Sequence, residues 1–336
     1  MRFSQIATKE CFDEVFVNYG RSLNPHLIVG QWNHLGNFNQ INGDERCLLP
    51  KELWARDEDY LWYSTGSSAF YTDLKKGFLG EGTLQARYLR GATGGKPFTL
   101  GKYESTRTRA SIAELAANGG VPMGFYTRFT NPEARKVITQ YYNFIRKHDA
   151  IYRHNTSHAE AVLLFPRKAV HMGDVDAVAK FRETGRALLE SHVLFDILPD
   201  DIATPERLAA YQKIYRPGDK TVKGVTEFTA PKTIRVSANR PAKGDTLHLH
   251  FVNYNRTEPT KPKSAGGGIH DEKPISVRGI QCAVPLPQGA RLKKARFFTP
   301  EKESAVELQV KIRGNKAHFT LPEFLVYGVA ELEWSR

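Results

Sequence analysis

The sequence predicts an α/β region followed by an all-β region, and three features carry that division. Over residues 1–150 short apolar runs alternate with helical patterns. Residues 160–198 repeat the alternation once on a smaller scale. From Thr221 onward the hydrophobic period changes to two. The expected organisation is parallel strands with their helices over 1–155, a small βαβ unit over 156–215 and an antiparallel β-sandwich over 216–336.

Residues 4–21 read as a helix, with Phe12, Val15, Phe16 and Tyr19 at helical spacing, ended by Asn24-Pro25. HLIVGQWN follows as a strand whose apolar run, Leu27 to Val29, suits burial in a parallel sheet. The loop LGNFNQINGDERCLLP carries Asp44 and Glu45. Leu53 and Trp54 sit in a short helical segment, DYLWYSTG is the next strand, and Asp73 to Leu89 supplies helix material. Pro97 to Glu104 is a third strand. Arg107 to Asn118 is a helix rich in alanine, stopped by Gly119-Gly120, the residues best able to take the left-handed C-terminal cap. Val121 to Thr127 is a fourth strand. Asn131-Pro132, an N-cap followed by proline at the first helical position, then starts a helix that runs to about His148 with Val137, Ile138, Tyr141, Tyr142 and Ile145 on one face. Four parallel strands are half of what a closed (β/α)8 barrel requires.

AEAVLLFP, the helix from Val175 to His192 and VLFDILP form the βαβ unit, and a short helix ends near Tyr211. In the last region DTLHLHFVN alternates Leu247, Leu249 and Phe251 with His248 and His250, the pattern of a half-buried antiparallel strand. Similar runs at KTIRVSA, ISVRGIQCAV, LKKARFFT, AVELQVKI, KAHFTL and EFLVYGVAELE, separated by turn residues, make a sandwich of seven or eight strands the economical solution. Arg256 to Lys273 reads as a loop or insertion.

The chain has 336 residues, 40% hydrophobic and 11% aromatic, enough for a sizeable core. No run approaches the roughly 18 apolar residues of a membrane span, and MRFSQIATKECF lacks the apolar stretch of a secretory signal. A cytoplasmic location is expected if the N-terminus is complete, and a periplasmic or secreted one if it is not. Cys11, Cys47 and Cys282 have no metal-like spacing, and three cannot all pair within the chain. Most of the net charge of +12 resides in the C-terminal part, where residues 211–336 hold 22 Lys/Arg against 12 Asp/Glu. A basic surface of this kind either attracts polyanions or is simply solvated, and the lack of an aromatic-basic recognition motif argues against nucleic acid. His248 and His250 share a strand face but have no third placed ligand, so no metal site is expected. Ser64 to Ser68 and Gly91 to Gly95 lack the lysine and hydroxyl arrangement of a phosphate loop, there is no G-x-S-x-G elbow, and no cofactor is expected.

Glu104 stands at the end of its strand, with Lys102 two residues before it and Arg107 and Arg109 just after. In parallel sheets flanked by helices the chemistry gathers beyond the C-terminal strand ends. Glu104 is therefore either a reactive carboxylate or a structural one that favours the positive end of the following helix and pairs with an arginine.

The stretches LWYSTG, KPFTLGKYESTRTRASIAELAANGGVPMGFYT, YYNFIRKHDAIYR, AEAVLLFP, GRALLESHVLFDILPDD, LHFVNY and FTLPEFLVYGVAELE resemble, in this order, the later portion of β-galactosidase-like glycoside hydrolases with a trimerisation (amidotransferase-like) domain. The resemblance spans nearly the whole chain. It implies the C-terminal half of a (β/α)8 barrel, a small amidotransferase-like unit, a β-sandwich, and retaining hydrolysis of a glycosidic bond in a carbohydrate substrate. Counting VPMGFYT as the eighth strand makes FTLGKYE the seventh and puts Glu104 at the family's nucleophile position. The fourth strand, which bears the acid/base glutamate in that family, would lie before Met1, so the chain reads as N-terminally incomplete. The amidotransferase-like region is shorter than the family pattern, which leaves trimerisation open, and a homodimer of two half barrels would need matched shear.

Retaining hydrolysis requires two carboxylates about 5 Å apart. Asp44, Glu45 and Asp73 follow strands and lie on the appropriate side, so they are the internal candidates for the second. Trp32, Trp62, Tyr63, Tyr103 and Tyr126 cluster at strand ends and can stack on sugar rings, while Asn33, His34, Lys102 and Arg128 can bind hydroxyls or an acidic group. Each alone is equally consistent with barrel packing. A non-catalytic carbohydrate-binding or assembly protein keeps the same aromatic strand ends and dispenses with the second carboxylate.

Overall fold

The computed structural model describes residues 2–32, 57–64, 74, 79–101, 107–121, 131–174, 176–257 and 273–335. Among them the chain is a mixed structure of helices, two parallel sheets and several antiparallel ones.

The first sheet is parallel, in the order β1 (Gly30–Trp32), β2 (Tyr60–Ser64), β3 (Phe98–Gly101). The helix Glu81–Ala92 joins β2 to β3, and Thr108–Ala117 follows β3. The second helix ends as its sequence predicts. Gly119 takes φ +79°, and Gly120 N–H turns back to the carbonyl of Leu115 at 3.0 Å. Asn131 caps Pro132–Lys147 by accepting from the N–H groups of Glu133 (2.8 Å) and Ala134 (3.3 Å).

A second parallel sheet, in the order β6-β5-β7, contains β5 (Ala161–Phe165), β6 (Phe195–Pro199) and β7 (Lys213–Tyr215), with the helix Asp176–Glu190 between β5 and β6. The third strand, β7, has only three residues, too few to show a period, and was not expected from the sequence. Two larger antiparallel sheets complete the fold, beside a two-stranded one that pairs β11 (Arg256–Thr257) with β12 (Lys273–Pro274). One has six strands, in the order β15 (Val306–Glu307), β14 (Arg291–Phe298), β18 (Tyr327–Ser335), β10 (Thr246–Asn253), β9 (Ile234–Pro241), β4 (Asn155–Ser157). The other has four, in the order β16 (Lys311–Arg313), β17 (Lys316–Thr320), β13 (Gln281–Pro285), β8 (Glu227–Thr229). Gly314 and Asn315, both at positive φ, make the two-residue turn between β16 and β17.

Three cores hold these layers. Leu247, Leu249 and Phe251 of the six-stranded sheet share one with Cys282, Val284 and Phe319 of the four-stranded sheet. On the other face of the six-stranded sheet, Val252, Phe298, Tyr327 and Val329 pack against Ala113, Val137, Tyr141 and Phe144 of two helices. The third core joins Leu61, Phe98 and Leu100 of the first sheet to Leu84 and Leu89 of Glu81–Ala92 and to Leu163, Phe181 and Ile197 of the second parallel sheet and its helix.

Two sequence expectations change here. His248 and His250 were read as the wet face of a half-buried strand, but both are buried, because the helices cover that face. His248 Nδ1 meets Asn239 Oδ1 at 3.0 Å, and His250 Nδ1 meets Tyr327 Oη at 2.8 Å. Burial, with His248 nearby, pulls the pKa of His250 down to about 3, so it is a neutral core histidine. In the N-terminal helix, Val15, Phe16 and Tyr19 are exposed while Lys9 and Val17 are buried. A π-helical turn, Asp13–Asn18, interrupts the α-helical phase, and Lys9 pairs with Asp13 and, at 3.0 Å, with Asp57.

The helix Glu81–Ala92 is buried from Glu81 through Leu89, and its Arg87 ties three layers together. Its Nε donates to Asn118 Oδ1 at 3.1 Å, Nη1 to the carbonyl of Phe195 at 3.0 Å and Nη2 to the carbonyl of Val236 at 2.9 Å. Arg87→Met, of similar length, leaves three buried acceptors without this donor and should cost about 3 kcal/mol or more in urea unfolding. Gly91 lets the same helix touch β6, since a Cβ there would lie 1.8 Å from the carbonyl oxygen of Ile197. Gly91→Ala should destabilise by about 2 kcal/mol, measured in the same way.

Candidate functional site

Parallel pairing puts the C-terminal ends of β1, β2 and β3 on one edge of their sheet. Trp32 stands opposite Trp62 and Trp62 opposite Thr99, while Tyr63 pairs with Leu100 and Ser64 with Gly101. The structure thus brings Trp32, Trp62 and Tyr63 together in backbone register at this edge. Asn33 and His34 follow Trp32 directly in the chain, and Lys102 follows Gly101. These three residues, together with Asp44, Glu45, Asp73, Tyr103, Glu104, Tyr126 and Arg128, lie outside the described residues.

The acids at the opposite edge are structural. Asp59 Oδ2 accepts from Val29 N–H at 2.6 Å and from Arg21 at 3.1 Å, which locks the entry of β1 to that of β2. The Val29 hydrogen bond is the leading cause holding the Asp59 carboxyl below the usual aspartate range. Glu58, fully buried, lies 3.7 Å from Lys9. Both acids precede β2.

Two buried glutamates in the helices behind the sheet escaped the sequence reading. Glu81 opens the helix after β2, and Glu114 lies in the helix after β3. Glu114 Oε1 accepts from Thr83 N–H (2.9 Å), Thr83 Oγ1 (3.0 Å) and Tyr254 Oη (2.5 Å). Burial, with the Glu114 charge, pushes the Tyr254 phenol well above its usual range, which keeps it a donor. Glu81 Oε2 receives Arg182 Nε and Nη2, both at 3.3 Å, while its Oε1 is buried without a partner. Burial raises the Glu81 carboxyl to about 7; Arg182 opposes the shift and Glu114 adds to it. This side chain can therefore hold a proton near neutrality. Small residues beside it, such as Gly82, whose added Cβ would sit 2.3 Å from Glu114 Oε2, are the local sign of two helices in close approach.

Among the described residues no group of three or more His, Cys, Asp or Glu is arranged to hold a metal, and no helix is long and apolar enough to cross a membrane. Cys282 is buried and Cys11 exposed, both as free thiols, while Cys47 lies outside the described residues.

No protein-family model matches the chain, and no curated protein matches it. Among solved structures, α-L-fucosidase isoenzyme 2 from Paenibacillus thiaminolyticus aligns at a TM-score of 0.51 and 10% identity, covering 89% of this chain and 80% of that one. A cycloisomaltooligosaccharide glucanotransferase from a Paenibacillus species aligns at 0.38 and 12% identity over 69% of this chain and 28% of its own. The α-amylase from H. orenii aligns at 0.33 and 11% identity over 98% of this chain and 58% of its own. The chain has a glycosidase-like fold.

The raised Glu81 carboxyl sets a pH dependence. Between pH 4.5 and about 7 the unfolded chain has already lost this proton while the folded chain keeps it, so folding stability falls across that window and the full penalty applies above it. Glu81→Gln keeps an acceptor for Arg182 and removes the titration. The stability difference between variant and wild type should move in the variant's favour by about 3 kcal/mol from the bottom of the window to its top, read by urea unfolding at each pH.

Proposed function

We propose that the chain is a glycoside-hydrolase-like protein acting on an oligo- or polysaccharide, built as the C-terminal half of a (β/α)8 barrel with a small amidotransferase-like unit and a β-sandwich, of the β-galactosidase-like type. The observation that carries this reading is the parallel β1-β2-β3 order. With it, the segments bearing Asp44, Glu45, Asp73, Tyr103 and Glu104 follow the C-terminal ends of β1, β2 and β3 in the chain, the ends at which βα folds gather their chemistry. The glycosidase-like fold supports the same reading.

In this reading Glu104 is the nucleophile. One of its oxygens bonds to the anomeric carbon as the bond to the leaving oxygen breaks, and a second carboxyl group protonates that oxygen. The second group then takes a proton from water, which attacks the glycosyl ester, releases the sugar and restores Glu104. Asp44, Glu45 and Asp73 are the candidates for the second group within this sequence. Trp32, Trp62, Tyr63, Tyr103 and Tyr126 offer stacking faces for sugar rings, with Asn33, His34, Lys102 and Arg128 as partners for hydroxyls.

A panel of aryl glycosides that includes α-L-fucoside and β-galactoside tests the proposal. Glu104→Gln should lower kcat by about 10³-fold or more, and a 2-deoxy-2-fluoro glycoside should label the Glu104 peptide of the wild type. Equal activity in Glu104→Gln removes Glu104 from the mechanism. Saturable saccharide binding by a wild type that releases no sugar favours the non-catalytic binding reading.

A further inference from the structure

At the N-terminal edge of the first parallel sheet lies a cavity of about 770 Å³, within the roughly 300–1,000 Å³ that small-molecule sites occupy. Phe98, the first residue of β3, lies in its wall, and three helices end beside it: Glu81–Ala92, Thr108–Ala117 and Pro132–Lys147. We propose that this cavity binds a neutral saccharide, at the end of the sheet opposite the one that leads to Glu104.

The charge pattern selects a neutral ligand. Both carboxylates in the lining are already paired, Asp196 with Arg90 at 2.5 Å and Asp149 with Arg153 at 2.9 Å. The other two cations of the lining both donate to backbone carbonyls: Lys96 to Glu58 at 2.8 Å, and Arg207 to Ile202 at 3.2 Å and Gly91 at 3.3 Å. These two positive charges lie beside three helix C-termini, whose partial negative charge disfavours an anion.

The polar groups suit hydroxyls, which donate and accept at once. At the mouth the exposed Asp149 can accept and the exposed Arg153 can donate. Two tyrosines join Phe98, Ile145 and Leu198 in the apolar part of the wall. Tyr152 Oη already meets Tyr327 Oη at 3.2 Å, and Tyr211 Oη donates to Asp196 Oδ2 at 3.0 Å, so each ring chiefly offers carbon to the cavity. That combination suits the C–H faces and hydroxyl rim of a sugar ring. The wall is also fixed in place. Asp196 receives Arg90 and Ser157 (2.7 Å) on one oxygen and Tyr211 on the other, pinning the first helix, β4 and the segment after β6 to one point, so little ordering remains to be done on binding.

Thr156 is an exposed residue of β4 that lines this cavity, and Thr156→Trp should fill its mouth without disturbing the core. Maltotetraose, cellotetraose, xylotetraose and arabinotetraose, titrated into the full chain and followed by ligand-observed NMR, are the probes. At least one should bind saturably with a Kd of about 1 mM, weakened at least tenfold by Thr156→Trp and several-fold by Arg153→Ala, another exposed position. Thr320→Trp on the four-stranded sheet, and Glu104→Gln, should leave binding unchanged. Unchanged thermal melts establish that the variants are folded. The proposal is overturned if no probe binds up to about 10 mM, if binding survives Thr156→Trp, or if inorganic phosphate alone responds to that substitution. It does not rest on the catalytic reading of Glu104, and the two fail separately: hydrolysis lost in Glu104→Gln with binding intact supports both, whereas binding lost only in Glu104→Gln overturns the cavity and leaves Glu104 standing.

Discussion

The buried guanidinium of Arg87 is the constraint on which the layers depend. Its three donors reach an asparagine after one helix, a strand of the second parallel sheet and a strand of the six-stranded antiparallel sheet. A planar fork of fixed geometry can satisfy all three only when those elements stand in one arrangement. Its carbon centre also lies 4.3 Å from the centroid of the Phe195 ring, so the charge is met by an aromatic face as well as by carbonyls. Burying a charge is expensive, and the return here is a single mutual placement of three layers that apolar contact alone would leave free to slide.

That placement gives the first parallel sheet two unlike ends. At one, the strands run out toward the segments that carry the candidate carboxylates and aromatics. At the other, the helices terminate around a cavity whose charged lining residues are hydrogen-bonded within the protein. The helix that carries Arg87 spans the distance between them, with Glu81 in its first turn and Gly91 in its last. Its rigidity therefore matters at both ends, and the close approach at Gly91 and the glutamate pair beside Gly82 are where that rigidity is built.

Much of the fold was legible where local signals agree with the tertiary outcome. The alanine-rich helix stopped by Gly119-Gly120, the cap at Asn131 and the β5, helix, β6 succession all appear within a few residues of where the sequence put them. What escaped the sequence depends on contacts far along the chain. The short strands β4 and β7 exist only through their partners β9 and β5. Period-two alternation made His248 and His250 look solvated, because nothing local shows that two helices will cover that face and that Asn239 and Tyr327 will each meet one imidazole nitrogen. Glu81 and Glu114 were passed over for a related reason: a helix buried on every side has no polar face from which a carboxylate stands out. The candidate acids after β1, β2 and β3 rest on chain position relative to strand ends alone and lie outside the described residues.

The pairing of β4 with β9 has a kinetic consequence. Thr156 stands opposite Arg240, and between them the chain makes the whole β5-β6-β7 sheet with its helix before it returns. The edge of the six-stranded sheet closes only when that long excursion has become compact enough to bring its two ends together, and closing long loops early is entropically unfavourable. The three regions are therefore not beads that fold one after another as the chain emerges. β4 is the first strand of that sheet to be synthesised and must wait for β9 before it can pair, and a high-contact-order step of this kind slows folding.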